Sequence, residues 1–248
     1  MRCKSGMIKP LESAMENSGM KRVPEPELMN DPEQVSAYAG RDLDNACWLF
    51  VQCFHKYFPG LIPDGAILDL GCGPAAIPLR LARIFPNCEI HGVDGAPHML
   101  AYGRQAVQRE GREGQVQLFH GVLPDRLRMP RSRYGVIVSN SFLHHLADPM
   151  ILWDALRDYS LPNAAILVID LLRPASKKES RVVVDKYLPD APPLLRQDMM
   201  HSLCAAYTLD EVASQLRKTN LAVNLCLAKV TPFQFAVYGT LEGALSAP

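Results

Sequence analysis

Short apolar runs of strand length recur at 66–70, 89–93, 115–119, 135–139 and 164–171. Between them, near 75–84, 97–110 and 149–159, apolar residues return at helical spacing. Asp148-Pro149 supplies the last of these helices with a cap and a first-turn proline. Strand and helix in alternation predict βαβ units, hence a parallel sheet with right-handed crossovers.

The flanks read differently. Residues 1–25 look like a loose tail ending in the punctuation Pro24-Glu25-Pro26. A helix start follows at Asn30-Asp31-Pro32-Glu33-Gln34: Asp31 caps, Pro32 takes the first helical position and Gln34 can complete a capping box. One or two helices then run to about Phe58, with Leu43, Ala46, Leu49, Phe50, Cys53 and Phe54 on the apolar face. Residues 172–207 hold a basic run (Lys177, Lys178, Arg181) that reads as a solvated face, a turn from Pro189 to Pro193, and a helix ending near Ala206. Thr208-Leu209-Asp210-Glu211 is a capping box opening a helix to about Lys218. Runs at 221–229 and 232–240, joined at Thr231-Pro232, predict an antiparallel return. Residues 26–248 are therefore expected to form one domain, with helices at 26–60 and an insertion at 172–207.

A chain of 248 residues with 48% apolar and 21% charged positions can bury one substantial core. Its 26 basic and 26 acidic residues balance, so no global field draws it to nucleic acid or an anionic membrane. No apolar run reaches membrane-spanning length, and no signal-peptide core stands at the N-terminus. Seven cysteines at irregular spacings, without a C-x-x-C pair, fit reduced thiols in a cytoplasmic protein better than disulfides or zinc.

The chemistry concentrates at the first strand. Ala66-Ile67-Leu68-Asp69-Leu70 carries a carboxylate near its end, then turns through Gly71-Cys72-Gly73-Pro74-Ala75-Ala76 into a helix. Such a turn brings backbone N–H groups close to a bound ligand, and glycine leaves room for the approach. The run satisfies the dinucleotide fingerprint G-x-G-x-x-A, and Asp94 follows about 20 residues on, placed to accept from ribose hydroxyls. Asp69 within the strand end and Pro74 at the helix start, where an N–H is lost, favour a different nucleoside.

Asp69-Leu70-Gly71-Cys72-Gly73-Pro74 resembles the first motif of class I S-adenosylmethionine-dependent methyltransferases. Val93-Asp94-Gly95 resembles their ribose-binding second strand, and Val138 to Leu146 the segment after the fourth strand in their small-molecule branch. The likeness covers about 35–240. It implies an α/β fold, a Rossmann-like seven-stranded sheet of order 3-2-1-4-5-7-6. The last strand is antiparallel, helices cover both faces, and a helical lid stands over the strand ends. It further implies that Gly71, Cys72, Gly73 and Pro74 wrap the methionine moiety while Asp69 fixes the loop and meets the amino group. Asp94 then receives the ribose, Gly95 and Met99 line the adenosine, and Gly121 and Val122 approach the adenine. Asn140 borders the transferable methyl, and Tyr38 closes over the cofactor. Three positions depart from the family pattern. Ala75 replaces a glycine, Val122 replaces an acidic reader of adenine, and Leu161-Pro162-Asn163-Ala164 replaces a Lys-Pro-Gly-Gly turn.

Plainer roles stand beside these. Asp94 could cap the following helix, Asp69 could cap the turn, Tyr38 could be helix packing, and Cys72 reads as a loop filler. His91, His98 and His120 lack metal-ligand spacing, and no metal is expected. His144 and His145 are the candidate general bases, since imidazole titrates near neutral pH. As sequence neighbours they are expected to face different ways. Methyl transfer from a sulfonium proceeds largely by in-line positioning, so a base is optional.

The reading is thus a methyltransferase using S-adenosylmethionine, with S-adenosylhomocysteine as product and a small-molecule acceptor. It expects no nucleic acid or membrane partner, and a monomer or homodimer. Asn140 precedes Ser141-Phe142, not the Pro-Pro-aromatic sequence of enzymes that methylate amide or adenine nitrogens. The alternatives are an NAD(P)-dependent oxidoreductase and a non-catalytic cofactor-binding protein on the same fold.

Overall fold

The computed structural model describes residues 19–25, 29–39, 44–63 and 65–242. Its centre is a seven-stranded sheet of order β3-β2-β1-β4-β5-β7-β6. The strands are β1 (Ala66–Leu70), β2 (Glu89–Asp94), β3 (Val116–His120), β4 (Tyr134–Asn140), β5 (Ser160–Leu171), β6 (Leu225–Thr231) and β7 (Gln234–Leu241). Neighbours from β3 to β5 pair in parallel, whereas β7 runs antiparallel to both β5 and β6. The expected order and the expected antiparallel strand are both present.

Strand alternation splits the core between the two faces. On β1, Leu68 joins Ile137, Trp153, Val212 and Phe235 on one face. Ile67 joins Phe50, Leu81, Ile90 and Val138 on the other. Helices α3 (Ala76–Ile84), α4 (Pro97–Arg109), α5 (Met150–Tyr159) and α8 (Leu209–Lys218) cover these faces. Trp153 in α5 donates its indole N–H to Gln215 in α8 at 3.0 Å, satisfying two buried polar groups at once. Thr208 and Glu211 form the predicted capping box at the start of α8.

Helices α1 (Pro32–Ala39) and α2 (Asp44–Tyr57) precede the sheet. Asp31 caps α1 by accepting the N–H groups of Glu33 and Gln34. Leu49, Phe50, Cys53 and Phe54 of α2 pack on the sheet as expected; Leu43 and the Ala46 side chain lie outside the described residues. Between β5 and α8 stand α6 (Lys177–Tyr187) and α7 (Pro193–Ala205), with Lys177, Lys178 and Arg181 exposed. No helix among the described residues is long and apolar enough to cross a membrane.

Three local expectations need correction. Residues 19–25, read as part of a tail, are a strap: Met20 N–H donates to the Ala175 carbonyl and Val23 N–H to that of Cys204, both at 3.0 Å. Residues 1–18 lie outside the described set. The turn read at 161–164 lies within β5, where Asn163 adopts φ 62° and the register with β4 shifts. Leu161, Pro162 and Asn163 are exposed, and the proline and the left-handed Asn163 interrupt the strand pattern, which hid the strand start. The run at 221–229 opens with a 3₁₀ turn, Leu221–Val223, because Asn220 is left-handed (φ 58°) ahead of it.

Candidate active site

The carboxyl ends of β2, β1, β4 and β5 lie side by side, and the loops leaving them line one cavity of about 440 Å³. Ligands bind at this edge in open α/β sheets. After β1, Gly71 and Cys72 both donate to the Val93 carbonyl at 2.9 Å, locking the loop to β2. Gly71 holds φ 76°, and a Cβ there would sit 2.4 Å from Phe142 Cγ. Gly73 (φ 51°) is the opposite case: a Cβ there would meet nothing within 4 Å, so its backbone borders open space. Ala75 is left-handed too (φ 66°), in the position where the family pattern has glycine. That conformation costs an L-residue about 1–2 kcal/mol, and the Ala75 methyl is fully buried.

Two carboxylates face this loop and behave differently. Asp94 accepts the Gly73 N–H through Oδ2 and the Ala96 N–H through Oδ1, each at 2.8 Å. It therefore both ties the glycine loop and caps the start of α4, while still lining the cavity. Asp69 was expected to fix the loop, and it does not: both its oxygens are buried without a hydrogen-bond partner. Burial, and then the neighbouring charge of Asp94, push its carboxyl up to about 8. The same burial, with Asp94 and Asp69 behind it, holds the Cys72 thiol well above its usual range, in keeping with a filler and not a nucleophile.

Asp69, Gly71, Cys72, Gly73, Pro74, Asp94, Gly95, Met99, Asn140 and Tyr38 all line this cavity. Tyr38 packs against Val35, Ala96 and Met99, so packing and cavity lining coincide in it. Gly121 and Val122 do not line it. Gly121 donates its N–H to the Asp94 carbonyl and is covered by Leu127, and Val122 is 39% exposed.

Beyond Asn140 the chain makes a 3₁₀ turn, Leu143–His145. Both His144 and His145 line the cavity, against the expectation that neighbours must diverge, and their ring centroids are 4.2 Å apart. Each is held by a carboxylate that the motifs did not reveal. His144 Nδ1 meets Asp170 Oδ1 at 2.6 Å, and Asp170 also accepts the N–H groups of Leu143 and Leu171. Burial disfavours charge on both partners, yet the attraction between them raises His144 and lowers Asp170. His145 Nδ1 meets Glu25 Oε2 at 3.1 Å. Burial would raise Glu25, but the hydrogen bond and charge of His145, helped by His144 and Ser202, hold it below the usual carboxylate range.

Asp170 had a signal, a lone acid at the end of an apolar run, as Asp69 does. Glu25 had none. No metal was expected, yet one ring nitrogen of each histidine and a Glu25 oxygen lie within 4.8 Å of one another, a donor set that could hold a cation. The direct Glu25–His145 contact already satisfies two of the three groups without one. The far wall comes from Leu171, α6, α7 and the β6–β7 turn, through Tyr187, Leu188, Leu195, Met199 and Phe233.

The chain resembles known proteins in both sequence and fold. Residues 67–159 match the family model described as a methyltransferase domain. A release factor glutamine methyltransferase of Geobacter sulfurreducens is 34% identical over 101 residues, 41% of this chain and 34% of that protein. A ubiquinone biosynthesis O-methyltransferase of Cereibacter sphaeroides is 23% identical over 159 residues, 62% of this chain and 59% of its own length. The chain thus spans about a third to three-fifths of these relatives. Among solved structures, the plantazolicin methyltransferase BpumL in complex with SAH has a TM-score of 0.65 at 14% identity, covering 84% of this chain and 89% of that one. At that identity the likeness speaks for the fold alone. Residues 67–159 thus match a methyltransferase domain, and the sheet order is that of the Rossmann-like methyltransferase fold.

Proposed function

We propose that this protein transfers a methyl group from S-adenosylmethionine to a small-molecule nucleophile. One observation carries the reading: the Asp69 carboxylate is buried and unpartnered beside the open backbone of Gly73, in the wall of the cavity. A buried carboxylate without a partner is costly, and an ammonium group satisfies it. The amino group of the methionine moiety fits that need. Asp94 keeps lone pairs for ribose hydroxyls after its two backbone bonds. Gly95, Met99 and Tyr38 then border the nucleoside, and Asn140 the sulfur end.

When bound, S-adenosylmethionine supplies a methyl carbon on a sulfonium; the acceptor's lone pair forms the new bond as the S–CH3 bond breaks, its electron pair staying on sulfur. The protein's part is to align the acceptor and to exclude water, which supplies much of the acceleration in such transfers. Residues 172–207 serve as the lid for that exclusion, within a single domain formed by 26–248. The acceptor is read from the far wall. Among the described residues no lysine or arginine lines the cavity, whereas Asp69, Asp94 and Asp198 do. An anionic acceptor finds no countercharge there, so the acceptor is uncharged or cationic, with an apolar body that meets Tyr187, Met199 and Phe233. The absence of a Pro-Pro pair after Asn140 sets the chain apart from amide-methylating enzymes, although one partial relative carries such a name.

Thermal shift and calorimetry with S-adenosylhomocysteine and with NAD test the reading. Stabilisation by S-adenosylhomocysteine alone is expected. Stabilisation by NAD alone sinks it in favour of an oxidoreductase.

A further inference from the structure

Two imidazoles stand at the acceptor side of the cavity, each on its own carboxylate, and the geometry gives them different work. Asp170 holds three groups: His144 Nδ1, Leu143 N–H and Leu171 N–H, each at 2.6 Å. With His144 only 3% exposed, this pair stitches the turn after β4 to the end of β5. His145 is more open, its side chain 18% exposed, and Glu25 engages only Nδ1. Nε2 is the nitrogen left for the cavity.

Glu25 is placed by the strap. Three residues before it, Arg22 donates to the carbonyls of Ala205 at 2.6 Å, His144 at 3.1 Å and Leu146 at 2.9 Å. Its guanidinium also lies 4.1 Å from the centroid of the Tyr207 ring, and the Tyr207 hydroxyl donates to the same Leu146 carbonyl. Arg22 thus joins the histidine turn to the end of α7. Met20 and Val23 add two backbone bonds to the segments after β5 and within α7. A segment held at so many points delivers its carboxylate to one position.

We propose that His145 accepts the proton of the methyl acceptor, and that Glu25 is the positioning residue that fixes its tautomer. An ionised carboxylate only accepts hydrogen bonds, so His145 carries its proton on Nδ1 and its lone pair on Nε2. As the acceptor gains the methyl group, its proton moves to Nε2. The resulting imidazolium is paired with Glu25, and the proton then leaves to bulk water. The charged groups around the ring are Glu25, the His144–Asp170 pair, Asp94 and Arg22. The proposal rests on the methyl-transfer reading, and its test separates the two.

The test uses ¹⁵N-histidine NMR on the full chain with S-adenosylhomocysteine present, needing neither acceptor nor variant. The expected signal for neutral His145 is protonated Nδ1 and bare Nε2; protonation on Nε2 overturns the proposal. Turnover of a panel of phenols and amines, read as S-adenosylhomocysteine release, gives the second arm. Replacing the base, His145→Asn, is expected to lower kcat by about 10²–10⁴-fold, the usual weight of general-base help. Glu25→Ala is expected to lower kcat at least tenfold and to mix the His145 tautomers. Both variants should bind S-adenosylhomocysteine within about twofold of the parent. Parental turnover in Glu25→Ala, or a stoichiometric metal ion found on the purified protein across Glu25 and the histidines, overturns the proposal. Failure of the parent to bind S-adenosylhomocysteine defeats the methyl-transfer reading instead, whatever the tautomer.

Discussion

The Asp94 carboxylate accepts the Gly73 N–H at 2.8 Å and so fastens the glycine loop of β1 to the end of β2. Its other oxygen takes the Ala96 N–H, so one side chain sets both the loop and the start of α4. Removing it by Asp94→Ala leaves two backbone donors without their acceptor. A stability loss of about 1–3 kcal/mol is expected in urea titrations. S-adenosylhomocysteine affinity is expected to fall at least tenfold by calorimetry. Unchanged affinity in a folded variant would show that Asp94 only holds the loop.

Asp69 is expected to make stability fall as pH rises. Its folded value, pushed up to about 8, lies above the ordinary carboxylate value, so the folded state retains a proton that the unfolded chain has lost. Stability should drop between about pH 4 and pH 8, by up to about 1.4 kcal/mol per pH unit, and level off above. Asp69→Asn should flatten that slope and weaken S-adenosylhomocysteine binding at least tenfold. For the parent, binding at pH 7 should release protons as the ammonium draws Asp69 into its ionised form. Calorimetry in buffers of different ionisation enthalpy reads this directly; no proton release would count against the ammonium–Asp69 contact.

Gly71 and Gly73 should respond differently to the same methyl group. Gly71→Ala forces a Cβ into Phe142 at a left-handed backbone, and a loss of at least about 2 kcal/mol is expected. Gly73→Ala meets no protein atom and should cost only about 1 kcal/mol of backbone strain. Yet Gly73→Ala fills the space assigned to the cofactor, so it should abolish S-adenosylhomocysteine binding while the protein stays folded. Thermal melts with and without the ligand separate the two variants.

The His144–Asp170 pair should be felt in stability more than in chemistry. Asp170→Ala leaves a buried imidazole and two N–H groups without their acceptor, and a loss of about 3–5 kcal/mol is expected. Because the pair raises His144 and lowers Asp170, its contribution is fullest between about pH 4 and pH 6.5. It fades as pH falls through the folded Asp170 value, or rises through the folded His144 value. A pH series of denaturation midpoints for parent and variant should converge at both extremes.

The sequence by itself determined the sheet and the loop. Alternating strand and helix periods, which are local signals, predicted the parallel βαβ sheet, and the motif resemblance implied its strand order. The glycine turn between Asp69 and Asp94 was equally visible, because tight turns demand particular residues at fixed spacings. Where the signal was not local, tertiary structure decided. Leu161, Pro162 and Asn163 conceal a strand start, since their faces are solvated and their register is set by β4. Asp94, not Asp69, holds the loop, because only folding brings β2 beside β1 and leaves Asp69 without a donor. Glu25 reads as part of a tail, yet it reaches His145, which is 120 positions away in the sequence. No periodicity encodes such a contact. It exists because Arg22 finds three carbonyls that only the assembled turn and helix present together.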